Sequence, residues 1–207
     1  NCPIPIPDSR SCMNLRSLWK MSKLLKNKEL LLRAPEPEDL ELLYKWENDT
    51  RLWEYGNANA PYSRFSFRQY LAESKQDIYA DRQLRLMVQM QASGVVIGMA
   101  DLYDFDPHHR RAGVGILIDE NQRNRGYGLQ SLLLLEEYAF GFLSFHQLYA
   151  FVPEKNQASR QLFKKAGYLP AGTLKEWLFK DDHFEDVHVW QKIRRNPLLE
   201  AVNNKNE

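Results

Sequence analysis

Arg123, Asn124, Arg125, Gly126, Tyr127 and Gly128 follow an alternating apolar stretch and precede a long apolar run. Residues of these types in this order suit an anion. A helix N-terminus leaves several backbone N–H groups without partners, and its dipole favours negative charge. Gly126 and Gly128 permit positive φ and let ligand oxygens approach the backbone closely. Arg123 and Arg125 add cationic donors matched to phosphate oxygens. A solvated turn with packing glycines is the plain alternative. Two arginines, a preceding strand and a following apolar helix favour the anion site. A triphosphate loop would need G-x-x-x-x-G-K-[ST], which is absent. A dinucleotide fingerprint would need a third glycine where Ser131 stands, in a strand–helix unit early in the chain.

The elements that must position this segment are legible from periodicity. Arg111 to Asp119 reads as a strand, with Val114, Ile116 and Ile118 alternating against Gly113, Gly115 and Leu117. A helix then runs from about Gly126 to Leu143, and Leu148 to Val152 is a buried strand. Asn156 to Ala166 is a short helix with an asparagine cap and a glycine stop at Gly167. Upstream, Glu29 to Ala34 is a first strand, and Pro35 to Asp39 carries helix-start chemistry. Leu40, Leu43, Tyr44 and Trp46 follow at helical spacing. A second helix is expected over Arg64 to Ala80. Leu84 to Gln91 and Val95 to Asp106 form a hairpin around Ala92-Ser93-Gly94. Two final strands fit Tyr168–Lys180 and Phe184–Ile193. The fold class is therefore α/β, layered as α+β: one mixed, largely antiparallel sheet with a central parallel strand pair, helices on both faces.

Bulk properties narrow the function. The chain has 207 residues, 28 basic and 27 acidic, so its formal net charge is +1. That balance argues against a general nucleic-acid or membrane-surface binder. No run approaches the roughly 20 apolar residues of a membrane span. Cys2 and Cys12 both lie in the leader, so the body holds neither a disulfide framework nor a cysteine nucleophile. No signal peptide is visible, and the expected compartment is cytoplasmic. Residues 1–20 read as an N-terminal extension, 21–195 as one domain and 196–207 as a tail.

Two motifs now combine. Arg123-x-x-Gly126-x-Gly128 resembles the Q/R-x-x-G-x-G/A signature of the GNAT (Gcn5-related) N-acetyltransferases. Asn156-x-x-Ser159-x-x-Leu162-Phe163-x-Lys165-x-Gly167-Tyr168 resembles that superfamily's second signature, and the order of elements is similar too. The resemblance covers about residues 29–193. Leu32-Arg33, Glu38-Asp39-Leu40 and His109-Arg110-Arg111-Ala112 are most similar to the bacterial spermidine/diamine branch and the ribosomal-protein N-terminal branch. It implies acetyl-CoA as co-substrate, with no metal. Amides of Arg123 to Gly128 would hold the pyrophosphate. The pantetheine arm would pair like an added strand with Ile116, Leu117 and Ile118, where the central strands splay. Asn156 would bond that arm as well as cap its helix.

The resemblance also implies direct attack of an amine on the thioester. The amine must be neutral, and the leaving thiolate must be protonated or stabilised. The usual acid is a tyrosine, and here its position holds Phe163. The polyamine branch places a glutamate where this chain has Gly113. Asp101 and Tyr103 share one face of a strand and are the candidate catalytic residues, Asp101 as a base through water or as an amine anchor. Asp104 and Asp106 fall on the other face. His108 and His109 read as a solvated turn, and His146 as a strand start. Trp53, Tyr55 and Tyr62 flank Gly56 to Asn59 and form a candidate acceptor wall. Partners are then acetyl-CoA and a small amine or a peptide N-terminus, with a homo-oligomer left open. The acceptor readings are a polyamine, diamine or other small amine, and a ribosomal-type protein N-terminus. A weakly catalytic acyl-CoA-binding module is the third reading.

Overall fold

The computed structural model describes residues 24–53, 60–73, 77–180 and 182–194. The expected extension with Cys2 and Cys12, the tail from 196 onward, Tyr55 with its 56–59 loop, and Asp181 lie outside those residues.

Alternation and turn chemistry produce the expected sheet. Its strands are β1 (Leu30–Arg33), β2 (Leu84–Met90), β3 (Val96–Asp106), β4 (Arg111–Ile118), β5 (Gln147–Pro153), β6 (Leu169–Lys180) and β7 (His183–Ile193). They form one seven-stranded sheet in the order β1-β2-β3-β4-β5-β7-β6. All neighbours are antiparallel except β4 and β5, which are parallel. That parallel pair is short. Arg111, Ala112 and Gly113 pair with Gln147, Leu148 and Tyr149, and there the register ends. Beyond it the two strands separate, while β4 stays paired with β3 through Ile118.

Period-two alternation divides the apolar side chains between two faces. Met87, Met99 and Leu117 pack with Leu43, Trp46 and Phe67 of helices α1 (Leu40–Glu47) and α3 (Arg64–Glu73). Leu86, Val88, Ala100 and Val114 point the other way, into the main core with Leu132 and Leu135 of α5 (Tyr127–Glu136) and Phe163 of α6 (Gln157–Lys165). Of two short helices, α2 (Thr50–Trp53) adds Leu52 to the first side, and α4 (Ile78–Asp81) buries Ile78 in the main core. Before α1, Asp39 takes a bidentate bond from Arg33 at 2.6 and 2.9 Å, which ties the helix start to β1.

Three local expectations are corrected. The helix expected over Arg64 to Ala80 is described as α3 and a separate turn, α4. Asp77 starts the latter by accepting the Tyr79 N–H at 2.9 Å. The helix expected to reach Leu143 widens after Glu136 into a π-helical turn over Glu137–Phe142, closed by Leu143 N–H to Tyr138 O at 3.0 Å. This wider turn stacks Tyr138 on Phe142 and keeps Ala139 buried. Finally, the alternation in β3 breaks. Asp104 has φ +49° at an extra residue opposite β4, so Leu102 and Phe105 are both buried. Asp104 and Asp106 therefore do not share a regular strand face.

Candidate active site

Where β4 leaves β5, one edge of Ile116, Leu117 and Ile118 bonds to β3 and the other has no strand partner among the described residues. All three side chains are half-buried. The chain then turns through Glu120–Gln122 and reaches the N-terminus of α5. Asn124 (φ +63°) and Gly126 (φ +82°) both adopt the left-handed conformation, and Gly126 caps the helix. Such alternation turns successive N–H groups toward one side of a loop, an anion-binding shape. Gly128 has no positive φ. A Cβ there would lie 3.7 Å from Ile118 and 3.8 Å from Leu162, so this glycine seats α5 against β4 and α6. The two arginines differ. Arg123 turns back and donates through Nε to the Ile118 carbonyl at 3.0 Å, bracing the loop. Arg125 is exposed and forms no ion pair with a described residue, which leaves its charge for a ligand.

Asn156 caps α6 by accepting the Ser159 N–H at 3.0 Å. Its side-chain amide group is not used by that bond. Phe163 is 4% exposed and packs edge-on against Tyr168, with ring centroids 5.0 Å apart. It belongs to the core.

Tyr103 occupies the start of the cleft. Its ring lies over Gly113, where an added Cβ would fall 2.2 Å from Cε2 and 2.4 Å from Cζ. The tyrosine and the glycine are thus complementary: a carboxylate-bearing residue at 113 has no room. The Tyr103 hydroxyl lies beside the backbone N–H of Phe151, across β4 on β5. Burial, then the neighbouring Tyr149, push its ionisation well above the usual tyrosine range, against the smaller opposing pull of that N–H. The phenol therefore keeps its proton at neutral pH.

Asp101 shares the face of Tyr103 and is not a free acid. Arg85 holds it through Nε to Oδ1 at 3.0 Å and Nη2 to Oδ2 at 2.8 Å. Arg85 Nη1 also pairs with Glu47 at 2.6 Å. Burial works against the Arg85 charge, but the two carboxylates overcome it and hold its ionisation above the ordinary range. Glu47 and Arg85 carry no motif. The only signal in the sequence was the placement of Arg85 between apolar neighbours in β2.

Helices α1 and α2 are braced to the loop. Lys45 Nζ and Trp46 Nε1 both bond to Asp119 at 3.1 Å, and Arg51 pairs with Glu120 at 3.2 Å. Of the expected aromatic wall, Trp53 donates to the Glu47 carbonyl at 2.6 Å, and Tyr62 sits 5.5 Å from Phe67. His108 and His109 are exposed beside one another in the β3–β4 turn. Among the described residues no group of three or more His, Cys, Asp or Glu side chains could hold a metal ion. No helix of the described residues is long and apolar enough to cross a membrane.

A family model for the acetyltransferase (GNAT) domain matches residues 29–169. The chain belongs to the GNAT acetyltransferase family. Spermidine N(1)-acetyltransferase of Vibrio cholerae is 26% identical over 161 residues, 78% of this chain and 91% of that protein. A putative ribosomal N-acetyltransferase of Bacillus subtilis, YdaF, is 24% identical over 173 residues, 82% of this chain and 93% of that protein. Among solved structures, spermidine N-acetyltransferase from V. cholerae in complex with CoA and spermine matches with a TM-score of 0.73. It is 23% identical and covers 81% of this chain and 96% of its own. A dodecameric structure of the V. cholerae enzyme matches with a TM-score of 0.67 at 25% identity, over 81% of this chain and 95% of its own. The GNAT fold and the acetyltransferase class are thereby those expected from the two motifs.

Proposed function

We propose that this GNAT enzyme moves the acetyl group of acetyl-CoA to a primary amine of a small acceptor by direct attack. The observation that carries the reading is the β4–β5 cleft, with an anion-binding helix start at one end and Tyr103 at the other. Amides of Asn124 to Gly128 and the Arg125 side chain hold the pyrophosphate. The free edge of Ile116 to Ile118 pairs with the pantetheine amides, and the Asn156 amide group assists.

The amine nitrogen attacks the thioester carbon, the C–S bond breaks, the nitrogen loses one proton, and the sulfur gains one. Neutralising an alkyl amine of pKa ~10.4 at pH 7 costs about 4.6 kcal/mol. Asp101 anchors the incoming ammonium, and its proton leaves through water. Tyr103 donates to the departing sulfur, the role that Phe163 lacks a hydroxyl to perform. The setting is proposed as cytoplasmic. The chain is also proposed to self-associate through edge strand β6 and β7, where Leu169, Trp177, Phe179 and Phe184 are exposed. Sedimentation at micromolar concentration should give a mass above that of one chain; a monomer would overturn this part.

Acetyl-CoA at about 100 times its Kd should stabilise the fold by about 2.7 kcal/mol. Thiol release should follow on adding 1,4-diaminobutane or spermidine and be much slower with an alanine-initiated peptide. Faster release with the peptide would replace the acceptor class. Absence of both stabilisation and thiol release would overturn the acetyl-transfer reading.

A further inference from the structure

Asp119 stands between the two stretches proposed to hold the cofactor, directly after Ile118 and shortly before Arg123. Its carboxylate serves two elements at once. Oδ1 accepts the Asn121 backbone N–H at 3.1 Å and so starts the Glu120–Gln122 turn. Oδ2 accepts Lys45 Nζ and Trp46 Nε1 of α1, each at 3.1 Å. The backbone of Asp119 is held as well. Its N–H donates to the Ile97 carbonyl at 2.8 Å, and its carbonyl accepts the Gln122 N–H at 2.8 Å. The side chain is 15% exposed, and Trp46 is 3% exposed in the cluster that also packs Leu117. Burial opposes the carboxylate charge, but Asn121, Trp46 and Lys45 outweigh it and hold its ionisation below the usual range.

The turn alone needs one acceptor oxygen, which a serine or asparagine would supply equally well. The second oxygen serves α1. An indole N–H in an apolar cluster needs an acceptor, and a shift of the loop would take this one away. The loop and the seat of α1 therefore change together. The Arg51–Glu120 tie is of another kind. Its side chains are 71% and 63% exposed, and pairs in water contribute little. We infer that Asp119 is a positioning residue for the cofactor: through Trp46 and Lys45, α1 holds the turn ahead of Arg123 in the shape that presents the amides of Asn124 to Gly128, so that the seat of α1 sets the affinity for acetyl-CoA. By linkage the effect runs both ways, and a ligand seated on the loop tightens the hold on α1.

This rests on the proposed pyrophosphate role of the loop, and the experiment separates the two. Acetyl-CoA is titrated calorimetrically, well below the melting temperatures, into wild type, Asp119→Asn, Trp46→Phe and the double variant. Asp119→Asn keeps one acceptor oxygen where two are used, and its Kd should rise about tenfold. Trp46→Phe keeps an aromatic ring and loses the N–H, and its Kd should rise about threefold. The double variant should bind no more weakly than Asp119→Asn alone, because the indole acts through that carboxylate. Arg51→Ala should stay within about twofold of wild type. The second readout is the Trp46 indole proton, identified by its loss in Trp46→Phe. Saturating acetyl-CoA should slow its exchange with solvent at least about threefold in wild type, and not in Asp119→Asn. A purely structural tie would lower the melting temperatures of both variants and leave Kd unchanged, and that result overturns the inference. Additive losses in the double variant, an Arg51→Ala loss as large as that of Asp119→Asn, or indole exchange indifferent to acetyl-CoA overturns it too. No binding of acetyl-CoA to the wild type overturns the pyrophosphate role of the loop along with it.

Discussion

Tyr103→Phe should lower kcat about a hundredfold and leave the KM for acetyl-CoA within about threefold. The phenyl ring still fills the space above Gly113, so the substitution removes only the hydroxyl. What is lost is the proton offered to a leaving thiolate whose own pKa is about 8.5. The expected pH dependence follows from the direction of the tyrosine shift. Its ionisation lies above the ordinary range, so the protonated, donating form persists through neutral and mildly alkaline pH. The wild-type rate should therefore show no alkaline loss as the pH passes the usual tyrosine value. Steady-state kinetics over pH for both proteins tests this. A variant that keeps more than about half of wild-type kcat would remove Tyr103 from the chemistry.

Gly98→Ala should cost about 3 kcal/mol. Gly98 is the β3 partner of Ile118, and a Cβ there would fall 2.1 Å from the Leu117 carbonyl oxygen. That oxygen is backbone in a paired strand and cannot swing aside as a side-chain tip can. The displaced segment is also the one proposed to carry the pantetheine arm. Thermal unfolding should drop by roughly 10 °C, and acetyl-CoA affinity should fall with it. Gly172→Ala is the control, because a Cβ there meets nothing within 4 Å. A melting temperature for Gly98→Ala within about 2 °C of wild type would show that β4 yields at little cost.

The local conformation of the segment proposed to hold the cofactor was readable because its signals are local. Gly126, the asparagine cap at Asn156 and the stop at Gly167 each act within a few residues of themselves, and each has the expected backbone conformation or bond. The ion cluster beside Tyr103 is assembled from distant positions. Glu47, Arg85 and Asp101 come from three elements, and no periodicity says that they meet. Asp101 looked like an isolated acid for that reason. The loss of alternation at Asp104 was equally hidden, since a single extra residue leaves the pattern of residue types almost unchanged. Gly113 was read as a missing carboxylate. It is better described as the space that Tyr103 needs, which only the cross-strand register reveals.

The short pairing of β4 with β5 has a further consequence, for solubility. Val114-Gly115-Ile116-Leu117-Ile118 holds no charge and no proline, and its outer edge has no strand partner among the described residues. Sheets normally guard such edges with lysines, bulges or a covering helix, because a bare apolar edge invites strands from other molecules. Here the exposed edge lies in the middle of the sheet, and the occupant of the cleft is its guard. With acetyl-CoA as the proposed occupant, aggregation should rise as acetyl-CoA is withdrawn and fall as it is supplied.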